Sequence, residues 1–161
     1  MMSGYNKSSV DELDSFVKSI DSYIIGEDVQ RIQINPEVEA VLNLTGIELK
    51  SLSSEDCCEK AYCLYAYCNY VQSVFNRHQV KLYWCDSQIN RMVAKQAGSF
   101  SKYMKWEQKY YTVVEQDEFV KKIFEAKLVS EARVIWLTDK IRDIRKMADT
   151  LMELSKRKTY S

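Results

Sequence analysis

From Cys57 to Met92 the inward places of the chain fall at Cys57, Ala61, Leu64, Cys68, Val71, Phe75, His78, Leu82, Cys85, Ile89 and Met92, and His78 is the only polar one. The steps alternate between four and three residues, the spacing of one helix face sustained over about five heptads. Val134, Leu137, Ile141, Ile144, Ala148 and Leu151 repeat that spacing near the carboxyl end. Pro36 is the only proline, and neither glycine nor proline occurs from Ile47 to Ala97 or from Ser99 to Ser161. Both spans therefore predict long helices, because no residue in them carries the helix-breaking cost of glycine or proline. Joined near Gly98, they make an all-α fold: a long antiparallel helical hairpin or bundle with coiled-coil-like seams and small N-terminal helices packed on it. Phe75, Leu82, Ile141 and Ile144 are its bulky seam positions, and a buried polar residue such as His78 can fix register.

The remaining punctuation divides the chain. Residues 1–8 read as a flexible tail, 9–46 as acidic N-terminal helices and 47–161 as the hairpin, all in one domain. Val10, Leu13, Phe16, Val17, Ile20 and Ile24 fall at helical spacing, with Gly26 to close that helix, and the alternating segment "DVQRIQI" suits a short extended arm. Asn35 is placed as an N-cap before Pro36, and Gly46 as the stop of that helix. Ser53 caps the first long helix, with Asp56 three residues on to reach back to it. Beyond Gly98, Phe100, Tyr103, Met104, Trp106, Tyr110 and Val114 can line one broad face, and Asp117 can cap a new helix.

Charge alters the picture less by its total than by its distribution. The chain holds 23 basic and 23 acidic residues, but residues 1–60 hold five against twelve, a net of −7, which leaves 18 against 11, a net of +7. Either the acidic segment folds onto the basic body, in its own chain or a neighbour's, or the basic body meets a polyanion. Lys140, Arg142, Arg145 and Lys146 cluster within two turns opposite the second seam, and Lys156, Arg157 and Lys158 follow. On the first long helix a row beside the seam carries Cys63, Tyr67, Tyr70, Val74, Arg77, Lys81 and Trp84. Aromatic rings interleaved with cations can stack bases and hold phosphates, while the same row can equally widen the packing face. Arg77, Lys81, Trp84 and the basic residues 140–158 named above are thus the candidates for binding nucleic acid or an acidic partner.

Catalytic chemistry finds little support. The five cysteines are an odd number without a disulfide framework, which suits free thiols in a reducing, cytoplasmic setting. Cys57, Cys68 and Cys85 sit at inward places where a thiol behaves as a small apolar group, and their spacing is not that of metal ligands, so no metal or other cofactor is expected. His78 and Cys85 stand two turns apart, about 10 Å along a helix, too far for a base and its nucleophile. No triad and no phosphate-binding glycine loop can be written down. No apolar run approaches the roughly 18 residues of a membrane span.

Together "LSSEDCCEKAYCLYAYCNYVQ" and "ARVIWLTDKIRDIRKMADTLMELSKRK" resemble, in length, helix order and texture over residues 47–158, the small all-helical accessory proteins of large tailed phages. The layout is similar to that of the T4-type recombination mediators, which assist recombinase loading on single-stranded DNA. The resemblance implies a phage protein working in the host cytoplasm. Two functions follow: a non-enzymatic helical interaction protein that oligomerises and binds a phage or host protein, or an accessory protein of recombination or replication that binds single-stranded nucleic acid.

Overall fold

The computed structural model describes Ser15 and residues 36–160. The predicted tail at 1–8, the helix at 10–24, the extended arm and the Asn35 cap lie outside these residues. Within residues 36–160 every regular element is helical: α1 (Pro36–Leu42), α2 (Gly46–Ser51), α3 (Ser54–Gln96), a 3₁₀ turn (Ala97–Ser99), α4 (Trp106–Gln116) and α5 (Glu118–Thr159). The chain is all-α, and α3 and α5 are its two long helices. It divides into two compact units, Met1–Ser73 with Asp139–Ser161 and Val74–Thr138, so each long helix contributes to both.

In the first unit the amino part of α3 runs antiparallel to the carboxyl part of α5. Partner numbers fall as α3 advances: Ser54 Oγ donates to the Ser155 carbonyl at 3.0 Å, Tyr65 Oη to Asp149 at 2.5 Å, and the Cys68 thiol to the Ile141 carbonyl at 3.7 Å. Cys57, Ala61, Leu64, Cys68 and Val71 are buried, as are Ile141, Ile144, Ala148 and Leu151. Each seam leucine or isoleucine removed from water contributes about 1.5 to 3 kcal/mol, which outweighs the modest helix propensity of the thiol-bearing positions. Ser53 and Asp56 cap α3 reciprocally, with Ser53 N–H donating to Asp56 at 2.9 Å and Asp56 N–H to Ser53 Oγ at 3.0 Å. Those hydrogen bonds hold the Asp56 carboxyl below the usual aspartate range.

Gly46 does not stop α1, which ends at Leu42; it opens α2 instead. A capping box decides the matter: Thr45 accepts from Glu48 N–H, while Glu48 accepts from Thr45 N–H at 2.8 Å. Val38 and Val41 bury the inner side of α1, and Val41, Leu44 and Leu49 meet Met147 and Leu151 of α5 around a small apolar cavity.

The second unit combines the carboxyl part of α3, α4 and the amino part of α5. Cys85, Ile89, Val93, Val113, Val114, Val120 and Ile123 form its core, with Met92, Phe100, Tyr110 and Phe124 packed against it. Residues 100–105 are not helical, contrary to the expected unbroken face. A turn closes there as Met104 N–H donates to the Ser101 carbonyl at 3.0 Å, and α4 begins only where Gln108 accepts from Lys105 N–H at 3.2 Å. Tyr103 and Trp106, predicted to line that face, are exposed. Asp117 does start a new helix, accepting from Phe119 N–H at 2.9 Å and Val120 N–H at 3.2 Å.

Candidate functional site

The seam residue His78 is buried, 3% exposed, among the carboxyl-half residues of α3. Burial first, and then the charges of Arg133, Lys81 and Arg77, pull its pKa down to about 4. The ring is consequently neutral at pH 7. Phe75 and Leu82, the bulky neighbours in this seam, are only half-buried, so the expected inward row is less complete on either side of His78 than the spacing implies. Burial also raises the Cys85 thiol, with Asp86 adding to the effect, so Cys85 carries little of the thiolate a nucleophile requires. No disulfide joins the cysteines: Cys57 and Cys68 are buried like Cys85, Cys63 is half-buried and Cys58 is exposed, its sulfur 3.0 Å from Ser155 Oγ. Among the described residues no three His, Cys, Asp or Glu side chains gather as a metal ion would require. None of the described helices is long and apolar enough to cross a membrane.

The row beside the seam separates as its distance from the α3–α5 contact dictates. Tyr67 and Val74 are buried, while Tyr70, Arg77, Lys81 and Trp84 are exposed. Trp84 lies one turn from Val80, itself 68% exposed. These two side chains and Lys81 form one side of a groove of about 470 Å³, Cys85 contributes a buried patch, and Ala126 and Ser130 of α5 form the other side. Ala126 and Ser130 are small and one turn apart, which leaves the trough open along the helix axis. Arg77 is one turn before Lys81 and extends the cationic border.

The opposite flank of this helix pair is occupied. Tyr110 and Tyr111 of α4 each meet Phe124 of α5 edge-on, with ring centroids 6.2 Å apart. Lys127 pairs with Asp86 at 2.7 Å and donates to Tyr110 Oη at 3.3 Å. Burial opposes the Lys127 charge, but the hydrogen bonds to Asp86 and Tyr110 outweigh it and hold the ammonium pKa above the ordinary lysine range.

The basic cluster of α5 belongs to the first unit, whereas Arg77, Lys81 and Trp84 belong to the second. Lys140, Arg142, Arg145 and Lys146 are exposed, but acids interrupt them. Arg142 pairs with Asp139 at 2.9 Å and with Asp143 at 3.7 Å. Lys156 pairs with Glu153 at 3.1 Å. Lys158 is committed to another helix: its ammonium donates to the carbonyls of Leu49 at 3.4 Å, Lys50 at 2.9 Å and Leu52. It thereby satisfies the carboxyl end of α2, where the helix dipole favours a cation. Arg157 is exposed on the last turn of α5.

Sequence reasoning found Trp84, Arg77 and Lys81 from their spacing, but missed Val80, Ala126 and Ser130. Val80 lies outside both rows, and the partners of Trp84 on α5 depend on the register between two distant segments. The acids Asp139, Asp143 and Glu153 were visible in the sequence and could have tempered the weight given to the cluster. Compared with protein-family models, with curated proteins and with solved structures, the chain matches none.

Proposed function

We propose that this chain is a non-enzymatic helical interaction protein that works by docking another protein against its second unit. The observation carrying this reading is the groove of Val80, Trp84, Ala126 and Ser130, which none of the described elements covers and which lies away from the flank that α4 fills. An aromatic anchor beside a trough of small residues is how helical surfaces recognise partner helices. The texture shared with tailed-phage accessory proteins supports a phage accessory or assembly role in the host cytoplasm. Exposed Tyr83, Leu128 and Ile135, distinct from the groove-lining residues, supply apolar surface for self-association.

Cross-linked capture from the natural host tests this function. The wild-type chain and the Arg142→Glu/Arg145→Glu variant should retain the same partner, and Trp84→Glu should lose it while its helical content and unfolding midpoint stay unchanged. Capture that survives Trp84→Glu, or that yields only nucleic acid, would reject the reading. The nucleic-acid alternative draws on the exposure of Arg77, Lys81 and Trp84 along one row. It is weakened by the acids paired with Arg142 and Lys156 and by the commitment of Lys158.

A further inference from the structure

The groove of the second unit has a chemistry more particular than exposed apolar surface. Val80 and Trp84 stand one turn apart on α3, Ala126 and Ser130 one turn apart on α5, and the buried Cys85 lies with them in the lining. Two parallel ridges of this kind present the i, i+4 spacing that a third helix meets with its own apolar row. The charged border is cationic where it is best defined. Lys81 lines the groove and Arg77 lies one turn beyond it, while Arg133 of α5 is near enough to His78 to act on it. Asp86 and Glu131 both face Lys127, whose other partner is Tyr110 of α4, while Glu125, next to Ala126, is exposed.

Like charge also bears on the occupant. A second copy seated through the same groove would bring a second set of Arg77 and Lys81 to the same contact and double its positive charge. Opposite charges are needed to border an apolar contact here without repulsion.

From this juxtaposition we infer that the groove takes an amphipathic helix of a partner protein whose apolar row packs between Trp84 and Ala126 and whose flanking carboxylates pair with Lys81 and Arg77. The inference rests on the protein-docking function proposed above and names the chemistry of its partner. The helix lies along the trough, with an aliphatic residue over Ser130 and Cys85. Each of these exposed pairs is individually weak, but attraction of partner carboxylates and repulsion of partner cations add along the border and so separate the two in affinity.

Fluorescence anisotropy with a labelled synthetic probe tests it. The probe is an amphipathic helix of about five turns with leucine on one face and glutamate on the other, and its counterpart carries lysine in place of every glutamate. The intact chain should bind the glutamate helix at least about tenfold more tightly than the lysine helix, and Lys81→Glu/Arg77→Glu should reverse that preference. Trp84→Ala should weaken both probes while thermal unfolding stays unchanged, since Trp84 is half-exposed. Equal binding of the two probes, no binding of either, or indifference to Trp84→Ala would overturn the inference. So would a homodimer in light scattering that Trp84→Glu dissolves, because a second copy would then fill the groove. Partner capture that depends on Trp84 without glutamate-helix binding would defeat this inference alone and leave the docking function standing.

Discussion

Protonating His78 would place a new cation in a buried site already under the influence of Arg77, Lys81 and Arg133. The folded chain therefore resists a proton that the unfolded chain accepts at the ordinary histidine pKa of about 6.5. As pH falls below that value the unfolded state binds the proton first, and stability is lost until pH reaches about 4, where the folded state binds it too. Above pH of about 6.5 the contribution is constant. His78→Leu removes this titration, so the stability of the wild type relative to the variant should decline by up to about 3 kcal/mol across that window. Denaturant unfolding of both proteins at a series of pH values measures the difference, and parallel pH profiles would contradict the assignment. The same ring shows what a heptad pattern can reveal at residue scale: its inward position was legible, while its charge state depends on the depth of its burial and then on cations that include Arg133 of the other long helix.

At the scale of elements, Lys158 illustrates how a basic sequence feature can be structural. Three carbonyls at the end of α2 accept hydrogen bonds from its ammonium, a role that the run of basic residues 156–158 conceals in the sequence. Lys158→Met leaves those carbonyls without their cationic donor and should lower stability by about 1 to 2 kcal/mol. Lys156→Met, which removes only the exposed pair with Glu153, should change it by less than about 0.5 kcal/mol. Equal effects in thermal unfolding would show that Lys158 does not hold α2. The two long helices were readable because their apolar spacing is regular and unbroken, and Asp117 and Ser53 announced their starts. The length of the break after Gly98 was not, since residues 100–105 themselves hold no glycine or proline. It arises from the Ser101 turn and the Gln108 cap, local hydrogen bonds that compete with continued helix without changing composition. Gly46 misled for the same reason, because the Thr45–Glu48 capping box governs that position.

Across the whole molecule the formal charges cancel, 23 against 23, while the sequence halves differ in sign. That gradient makes a polyanion one candidate partner. Along α5, however, Asp139 and Asp143 hold Arg142, and Glu153 holds Lys156, so the positive field of the cluster is locally offset. The groove in the second unit was only half legible, because Trp84 announces itself as an aromatic among cations but its apposition to Ala126 and Ser130 follows from tertiary register. Protein docking through that groove, with no use of nucleic acid, is the central claim. It is tested most directly by titrating a labelled single-stranded oligonucleotide with the wild-type chain and the Arg142→Glu/Arg145→Glu variant over a range of salt concentrations. Neither protein should bind the oligonucleotide specifically at physiological salt. Tight binding by the wild type that falls steeply with salt, with a salt slope lower by about one for each phosphate that the variant no longer neutralises, would contradict it.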